Sequence, residues 1–160
     1  KAKIDLSIVK SVIKSNENRK LLLLKRIDDI FGRNVKNKKI VFFGVTFKPN
    51  TDDMRDAASL YMIPHLLRRK AIISYYEPTG EKQEFNKFKK CVFYSDINNA
   101  CKNVDLIILH TEWDEFKSFN FSKIIKNKKI VLYDLRNLYD PEEMRRKKIK
   151  YFSIGRPSIS

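Results

Sequence analysis

An α/β fold is predicted: a parallel sheet of five to six strands with helices on both faces, preceded by a long N-terminal helix. Three observations predict it. Apolar side chains recur at three- and four-residue steps through the first 31 residues, as on one face of a helix. Short apolar runs of strand length then follow at Ile40–Val45, Ala71–Tyr76, Cys91–Tyr94, Asp105–His110, Ile130–Asp134 and Tyr151–Ile154. Helical stretches separate most of these runs, and strands alternating with helices signal a parallel sheet covered on both sides.

The first helix carries Ile4, Ile8, Val9, Val12 and Ile13, then Leu21, Leu24, Ile27, Ile30 and Phe31, with the polar stretch Ser15–Lys20 between the two blocks. Gly32 stands where a helix stop is expected. At ~1.5 Å per residue such a helix is about 45 Å long, so part of it is expected to contact something outside a small domain. The expected division is 1–31, a connecting helix, and 32–160, an α/β domain. Ile40–Val45 is continuously apolar, as for a strand buried on both faces. Ser59–Arg69 reads as a helix in which Pro64 removes one backbone donor. Ala71–Tyr76 is closed by Glu77-Pro78-Thr79-Gly80, and the Lys-rich stretch to Lys90 has no period and reads as a loop. Ser95-Asp96 offers a cap for a helix to Asn103, and further helical stretches fall near Trp113–Lys117, Phe121–Lys126 and Pro141–Lys148.

An internal echo gives the sheet its polarity. Asn37-Lys38-Lys39-Ile40-Val41 recurs as Asn127-Lys128-Lys129-Ile130-Val131, each time before a strand. Both lysine pairs then belong at the amino edge, where preceding helices end and cations suit the helix dipole. Ligands of open α/β sheets bind at the opposite, carboxyl edge.

The chain has 160 residues, 34 of them Lys or Arg against 19 Asp or Glu, a formal charge of +15. Such charge is the footprint of nucleic-acid binders. Yet the cations are 24 Lys against ten Arg, whereas base readout favours the planar Arg fork. A basic nucleic-acid-binding module is therefore an alternative, and a solvated lysine-rich floor the preferred reading. No apolar run is long enough to cross a bilayer and no signal peptide is visible, so no membrane partner is expected and the reducing cytoplasm is the default compartment. Cys91 and Cys101 lack zinc-ligand company and read as buried small hydrophobes. His65 and His110 are scattered, so no metal site is expected.

The four glycines lie too far apart for a dinucleotide fingerprint or a P-loop. The informative segment is Gly44-Val45-Thr46-Phe47-Lys48-Pro49-Asn50-Thr51-Asp52-Asp53-Met54-Arg55-Asp56, which leaves a strand's carboxyl end and runs to a helix start. Lys48 and Arg55 are two cations fit for a diphosphate; alternatively they pair with Asp52, Asp53 or Asp56. Asp134-Leu135-Arg136-Asn137 occupies a second carboxyl end. In the strand order 3-2-1-4-5-6 the loops after the first, fourth and fifth strands share one crevice, which would gather Lys48, His110-Thr111-Glu112-Trp113 and Arg136. Arg136 suits bidentate phosphate recognition, or else pairs with Asp134 or Asp140.

The run Gly44–Arg55, with Ser59-Leu60 after it, closely resembles the start of the nucleotide-sugar-binding domain of UDP-glucose dehydrogenases. Thr111-Glu112-Trp113-Asp114-Glu115-Phe116, the Asp134–Asn137 turn and Ser153-Ile154-Gly155-Arg156 resemble later landmarks of that family, in order. The resemblance implies a Rossmann-like domain behind the end of a long helix that supports a homodimer. It implies oxidation of UDP-glucose at C6 to a carboxylate, with two NAD⁺ reduced in succession and a cysteine thioester as intermediate. It makes Lys48 and Arg136 UDP-sugar-binding residues and Arg55 the residue that reaches NAD. UDP-N-acetylhexosamine and GDP-mannose enzymes share the architecture and remain alternatives. In the family the NAD-binding domain and the nucleophilic cysteine precede the segment matched here, so this stretch is expected to carry no catalytic residue and to be inactive alone. Asp56-Ala57-Ala58 replaces the family's acidic residue, Ser and Pro; Lys70 replaces a helix-ending glycine, and Glu77 an aspartate.

Overall fold

The computed structural model describes residues 7–121, 124 and 130–158. Ile4, most of the helix expected near Phe121–Lys126 and the second lysine pair at 128–129 lie outside them. The chain forms two compact units divided between Val35 and Lys36.

The first unit is built on α1, Ser7–Phe31. Its stop has a physical cause. Gly32 takes a left-handed φ of 57°, and the Arg33 N–H folds back onto the Asp28 carbonyl at 2.7 Å, satisfying an orphan acceptor of the last turn. Leu23, Leu24 and Ile27 are buried, whereas Ile8, Val9, Val12, Ile13, Leu21 and Leu22 are exposed.

In the second unit the elements follow as β1 Lys39–Phe43, α2 Ser59–Arg68, β2 Ile72–Tyr76, β3 Cys91–Phe93, α3 Ile97–Ala100, β4 Leu106–Leu109, α4 Asp114–Lys117, β5 Val131–Asp134, α5 Pro141–Arg146 and β6 Lys150–Ser153. The six strands are all parallel, in the order β3-β2-β1-β4-β5-β6. This is the doubly wound Rossmann-like order expected from the sequence. Its central strands read as unbroken apolar runs because both faces are covered: every residue of β4 is buried, and all of β1 after Lys39. One side of the sheet packs on an aromatic train, Phe43–Phe116, Phe43–Phe119, Phe119–Phe121 and Phe121–Tyr139, with ring centroids 5.0–5.3 Å apart.

Local differences from the sequence reading have local reasons. β1 ends at Phe43 rather than Val45, because Gly44 at φ 72° turns the backbone out of the ladder after one last bond from its N–H to the Tyr76 carbonyl. α2 runs through Pro64 without stopping. Lys70 adopts φ 65°, the left-handed conformation a glycine would take more cheaply. The stretch expected to be all loop before Lys90 contains a 3-10 turn, Gln83–Phe85, pinned by Phe85 edge-on to Tyr75 at 5.4 Å. Asp96 caps α3 as expected, accepting the Asn99 N–H at 2.7 Å.

Candidate functional site

Sheet register places the loops. Phe43 pairs with Leu109 and Leu109 with Asp134, so the residues after β1, β4 and β5 emerge side by side at the carboxyl edge. Gly44–Ala58, His110–Trp113 and Leu135–Asn137 therefore line one rim.

Arg136 ties that rim together. Its Nε–H donates to the His110 carbonyl at 2.7 Å, and Nη2 donates to the Phe47 carbonyl at 3.0 Å. One guanidinium thus spans the β4 loop and the residue next to Lys48. The alternative of an ion pair with Asp134 or Asp140 is not realised; the ion pair is instead with Glu112, Nε to Oε2 at 2.9 Å. Because the single Nε–H is aligned on His110, the Glu112 contact is charge on charge. Asp134 serves the turn's backbone, its Oδ1 accepting the Arg136 N–H at 2.8 Å, its Oδ2 the Tyr139 N–H at 3.1 Å and the Tyr151 hydroxyl at 2.8 Å. The remaining Nη hydrogens have no partner among the described residues. A half-covered guanidinium held rigid at two corners, with donors to spare, suits an incoming phosphate.

Lys48 is exposed beside this clamp, and its ammonium has no bonded partner among the described residues. Arg55 is otherwise engaged. It clasps Asp53 with Nε at 3.0 Å and Nη2 at 2.8 Å, and the pairing drops the Asp53 carboxyl to about 2, with Lys48 adding a smaller pull. Arg55 nonetheless points into solvent, its side chain 88% exposed. Of the three cations singled out in the sequence, Lys48 and Arg136 share the rim directly, and Arg55 lies further along the same loop on a carboxylate leash.

His110 is buried beneath the rim. Its Nε2 accepts the Ser59 N–H at 2.9 Å, and its Nδ1 lies 3.0 Å from Thr111 Oγ1. Thr111 Oγ1 donates its only proton to the Thr46 carbonyl at 2.8 Å, so it must accept from His110. The ring is therefore the neutral Nδ1–H tautomer. Burial, with Arg136 nearby, lowers the imidazole to about 3. Between about pH 6.5 and 3 the unfolded chain then holds a proton that the folded chain refuses, so the stability that His110 contributes is full above 6.5 and falls as pH drops below it. The expected slope is about 1.4 kcal/mol per pH unit. Denaturant titrations at pH 7 and pH 5 should show it in the wild type and lose it in His110→Gln.

Glu77 is an interior carboxylate, 1% exposed. Its Oε2 accepts the N–H of Val45 at 2.7 Å and of Thr46 at 3.2 Å. Its Oε1 accepts the Thr79 hydroxyl at 3.1 Å, which in turn accepts from Lys82 Nζ at 2.7 Å. This settles what the edge beside β1 cannot do. In a dinucleotide-binding sheet the amides after the first strand face a pyrophosphate. Here a carboxylate of the chain already fills them, so this site does not fit NAD in that mode. Among the described residues of this rim, an anion is met on the outward side, where Lys48 and Arg136 stand.

Sequence reasoning brought His110 and Glu112 to this rim within the His110–Trp113 turn but gave neither a role, and gave Glu77 none. Glu77 and His110 each directly follow an apolar strand at the carboxyl edge, the one available signal for an inward-turned polar side chain. For Glu112 the signal was its place in the turn after β4, facing the loop that carries Arg136. Cys101 is buried as read, whereas Cys91, on an edge strand, is only partly buried; desolvation nonetheless pushes both thiols up to about 12, so neither is a ready nucleophile.

Comparison with known proteins identifies the family. Residues 41–141 match the UDP-glucose/GDP-mannose dehydrogenase family, UDP binding domain. The UDP-glucose 6-dehydrogenase of Rickettsia prowazekii is 35% identical over 156 residues, covering 96% of this chain and 36% of that protein. That of Rhizobium meliloti is 32% identical over 151 residues, covering 94% and 35%. Among solved structures, a UDP-glucose dehydrogenase from Pyrobaculum islandicum superposes with a TM-score of 0.75 at 19% identity, covering 94% of this chain and 32% of that one. A UDP-D-ManNAc dehydrogenase from Pyrococcus horikoshii gives 0.73 at 21% identity, covering 97% and 35%; at such identity the likeness speaks for the fold. The chain spans about a third of the length of the relatives it matches. It belongs to the UDP-glucose/GDP-mannose dehydrogenase family, and residues 41–141 are its UDP-binding domain.

Proposed function

We propose that this chain is the nucleotide-sugar-binding part of an NAD-dependent UDP-glucose 6-dehydrogenase of the cytoplasm, with UDP-glucose as substrate. The observation that carries the reading is the Arg136 clamp, whose bonds to the His110 and Phe47 carbonyls hold a guanidinium on the same rim as the unpaired Lys48. Two cations with free donors on one rim offset the charge of a diphosphate better than either does alone. The identity to proteins named UDP-glucose 6-dehydrogenase supports this nucleotide sugar over its relatives.

The hydride acceptor, NAD, is held elsewhere, because Glu77 fills the amides that follow β1. From this chain Arg55 alone reaches toward it, kept in an outward pose by Asp53. With both thiols held protonated by desolvation and the β1-edge amides taken by Glu77 among the described residues, the chain by itself is expected to turn over no UDP-glucose. The exposed apolar side chains of α1, Ile8, Val9, Val12 and Ile13, support a homodimer formed through that helix.

Thermal melting with and without UDP at fixed protein concentration tests the binding role. At a hundredfold excess over Kd, UDP adds about 2.7 kcal/mol of stability. That corresponds to a rise of roughly 5–10 °C for a chain of this size. Lys48→Ala and Arg136→Ala each abolish most of the rise. The reading is wrong if UDP moves the midpoint no more than an equal concentration of sodium chloride does. A basic nucleic-acid module would instead show binding that ignores the base and weakens steeply with salt.

A further inference from the structure

A single hydrogen-bonded line runs from the start of α2 to Lys48, through residues that never meet the solvent at the rim. Ser59 N–H donates to His110 Nε2 at 2.9 Å, and His110 Nδ1–H to Thr111 Oγ1 at 3.0 Å. Thr111 Oγ1 then donates to the Thr46 carbonyl at 2.8 Å, and the Thr46 hydroxyl gives its one proton to the nearer of two acceptors, the Lys48 carbonyl at 3.2 Å rather than Glu77 Oε2 at 3.4 Å. His110, Thr111, Thr46 and Ser59 are all at least 98% buried. The same His110 supplies the carbonyl that holds Arg136 Nε.

The start of α2 explains why a distant histidine is needed. Its N-cap is Ala58, which has no side chain able to accept the orphan N–H groups of the first turn. His110, 51 positions away, caps Ser59 instead. An imidazole can do this and donate on its other edge, which an ionised Asp cap could not. Thr111 fixes the spacing as well as the bonding: a Cβ on Gly44 would lie 2.5 Å from Thr111 Cβ, so the strand exit and the threonine are in full contact.

We propose that His110 and Thr111 are a positioning pair for the UDP site, one side setting Lys48 through Thr46 and the other setting Arg136 through the His110 carbonyl. Neither touches the nucleotide. The pair acts by keeping the two cations at one separation, so that phosphate binding does not have to order the rim. The inference rests on the UDP reading of Lys48 and Arg136, and the test separates the two.

UDP is titrated calorimetrically into the full chain as wild type, Thr111→Val, Thr111→Ser and His110→Gln, with melting midpoints recorded alongside. The backbone N–H of Lys48 and the Nε–H of Arg136 are followed by NMR in the ligand-free proteins. Thr111→Val keeps the shape against Gly44 but deletes the hydroxyl. It is expected to weaken UDP about tenfold or more, at temperatures where it is fully folded, and to move both resonances. Thr111→Ser, which keeps the hydroxyl, restores affinity and resonances. His110→Gln keeps an acceptor for Ser59 but loses the ring donor to Thr111, and shows the same loss as Thr111→Val; it replaces that variant if the valine chain does not fold. A merely structural role lowers the midpoint and leaves the affinity of the folded protein within twofold, which overturns the proposal, as does a serine variant no better than valine. If wild type binds no UDP, the UDP reading fails by itself. The positioning pair then stands or falls on the two resonances, unchanged resonances in Thr111→Val overturning it.

Discussion

Glu77→Ala is expected to destabilise the chain by about 3–5 kcal/mol, since it strands buried donors that have no route to water. The carboxylate serves the Val45 and Thr46 amides on one oxygen and the Thr79 hydroxyl on the other. Deleting it leaves two backbone N–H groups facing a cavity, and leaves Lys82, 6% exposed, with no anion behind Thr79. Each unsatisfied buried amide costs about 1–3 kcal/mol. The midpoint of thermal unfolding should fall by roughly 10 °C. Glu77→Gln keeps one oxygen for the two amides and should lose only about 1–2 kcal/mol. An alanine variant as stable as wild type would mean that water or another group can take over these amides, and would reopen the edge beside β1 as an anion site.

Gly44→Ala should cost about 3–4 kcal/mol, for two reasons that add. At φ 72° an L side chain pays about 1 kcal/mol or more for the left-handed conformation. The new methyl also meets Thr111 Cβ at 2.5 Å, and relieving an overlap of that kind in a packed interior costs about 1–3 kcal/mol. The atom struck is a Cβ, so Thr111→Ala cannot rescue the variant. This distinguishes a true steric contact from a loss of hydrogen bonding. Denaturant unfolding of Gly44→Ala, alone and with Thr111→Ala, reads the difference directly. The loop after β1 should also be displaced, so the residual folded protein should bind UDP weakly.

Much of this arrangement is legible in the letters, for reasons particular residues make plain. Ile40–Phe43 and Leu106–Leu109 are unbroken apolar runs because both are central strands covered on two faces. Gly32 marks the end of α1 because nothing else takes a left-handed turn there so cheaply. Once the strand order is assumed, the meeting of Lys48 and Arg136 at one edge follows from topology, although Arg136 and Phe47 are 89 positions apart. Side-chain aim does not follow in the same way. Asp134, two residues away, looks the natural partner of Arg136, yet its oxygens are taken by the turn's own N–H groups and by Tyr151, and Glu112 receives the charge instead. Glu77 reads as a polar strand end, and only the inward bend of Gly44 turns two amides toward it. Phe85 sits in a stretch with no periodicity, and packing on Tyr75 decides its burial.

The departures at the start of α2 fit the same picture. Where the family's acidic residue, Ser and Pro would shape the first turn, this chain has Asp56-Ala57-Ala58 and uses a histidine on β4's exit as its cap. A change next to the site is thus absorbed from beneath it, and the rim keeps its two cations.

The most direct test follows backbone amides of the nitrogen-15-labelled chain as UDP is added. Saturable shifts should concentrate at Phe47, Lys48, Thr111, Glu112 and Arg136, with Lys38 and Lys39 at the amino edge unmoved, and all should titrate with one Kd. Shifts gathered at the amino edge, or none at Lys48 and Arg136 under saturating UDP, would contradict a nucleotide site on this rim.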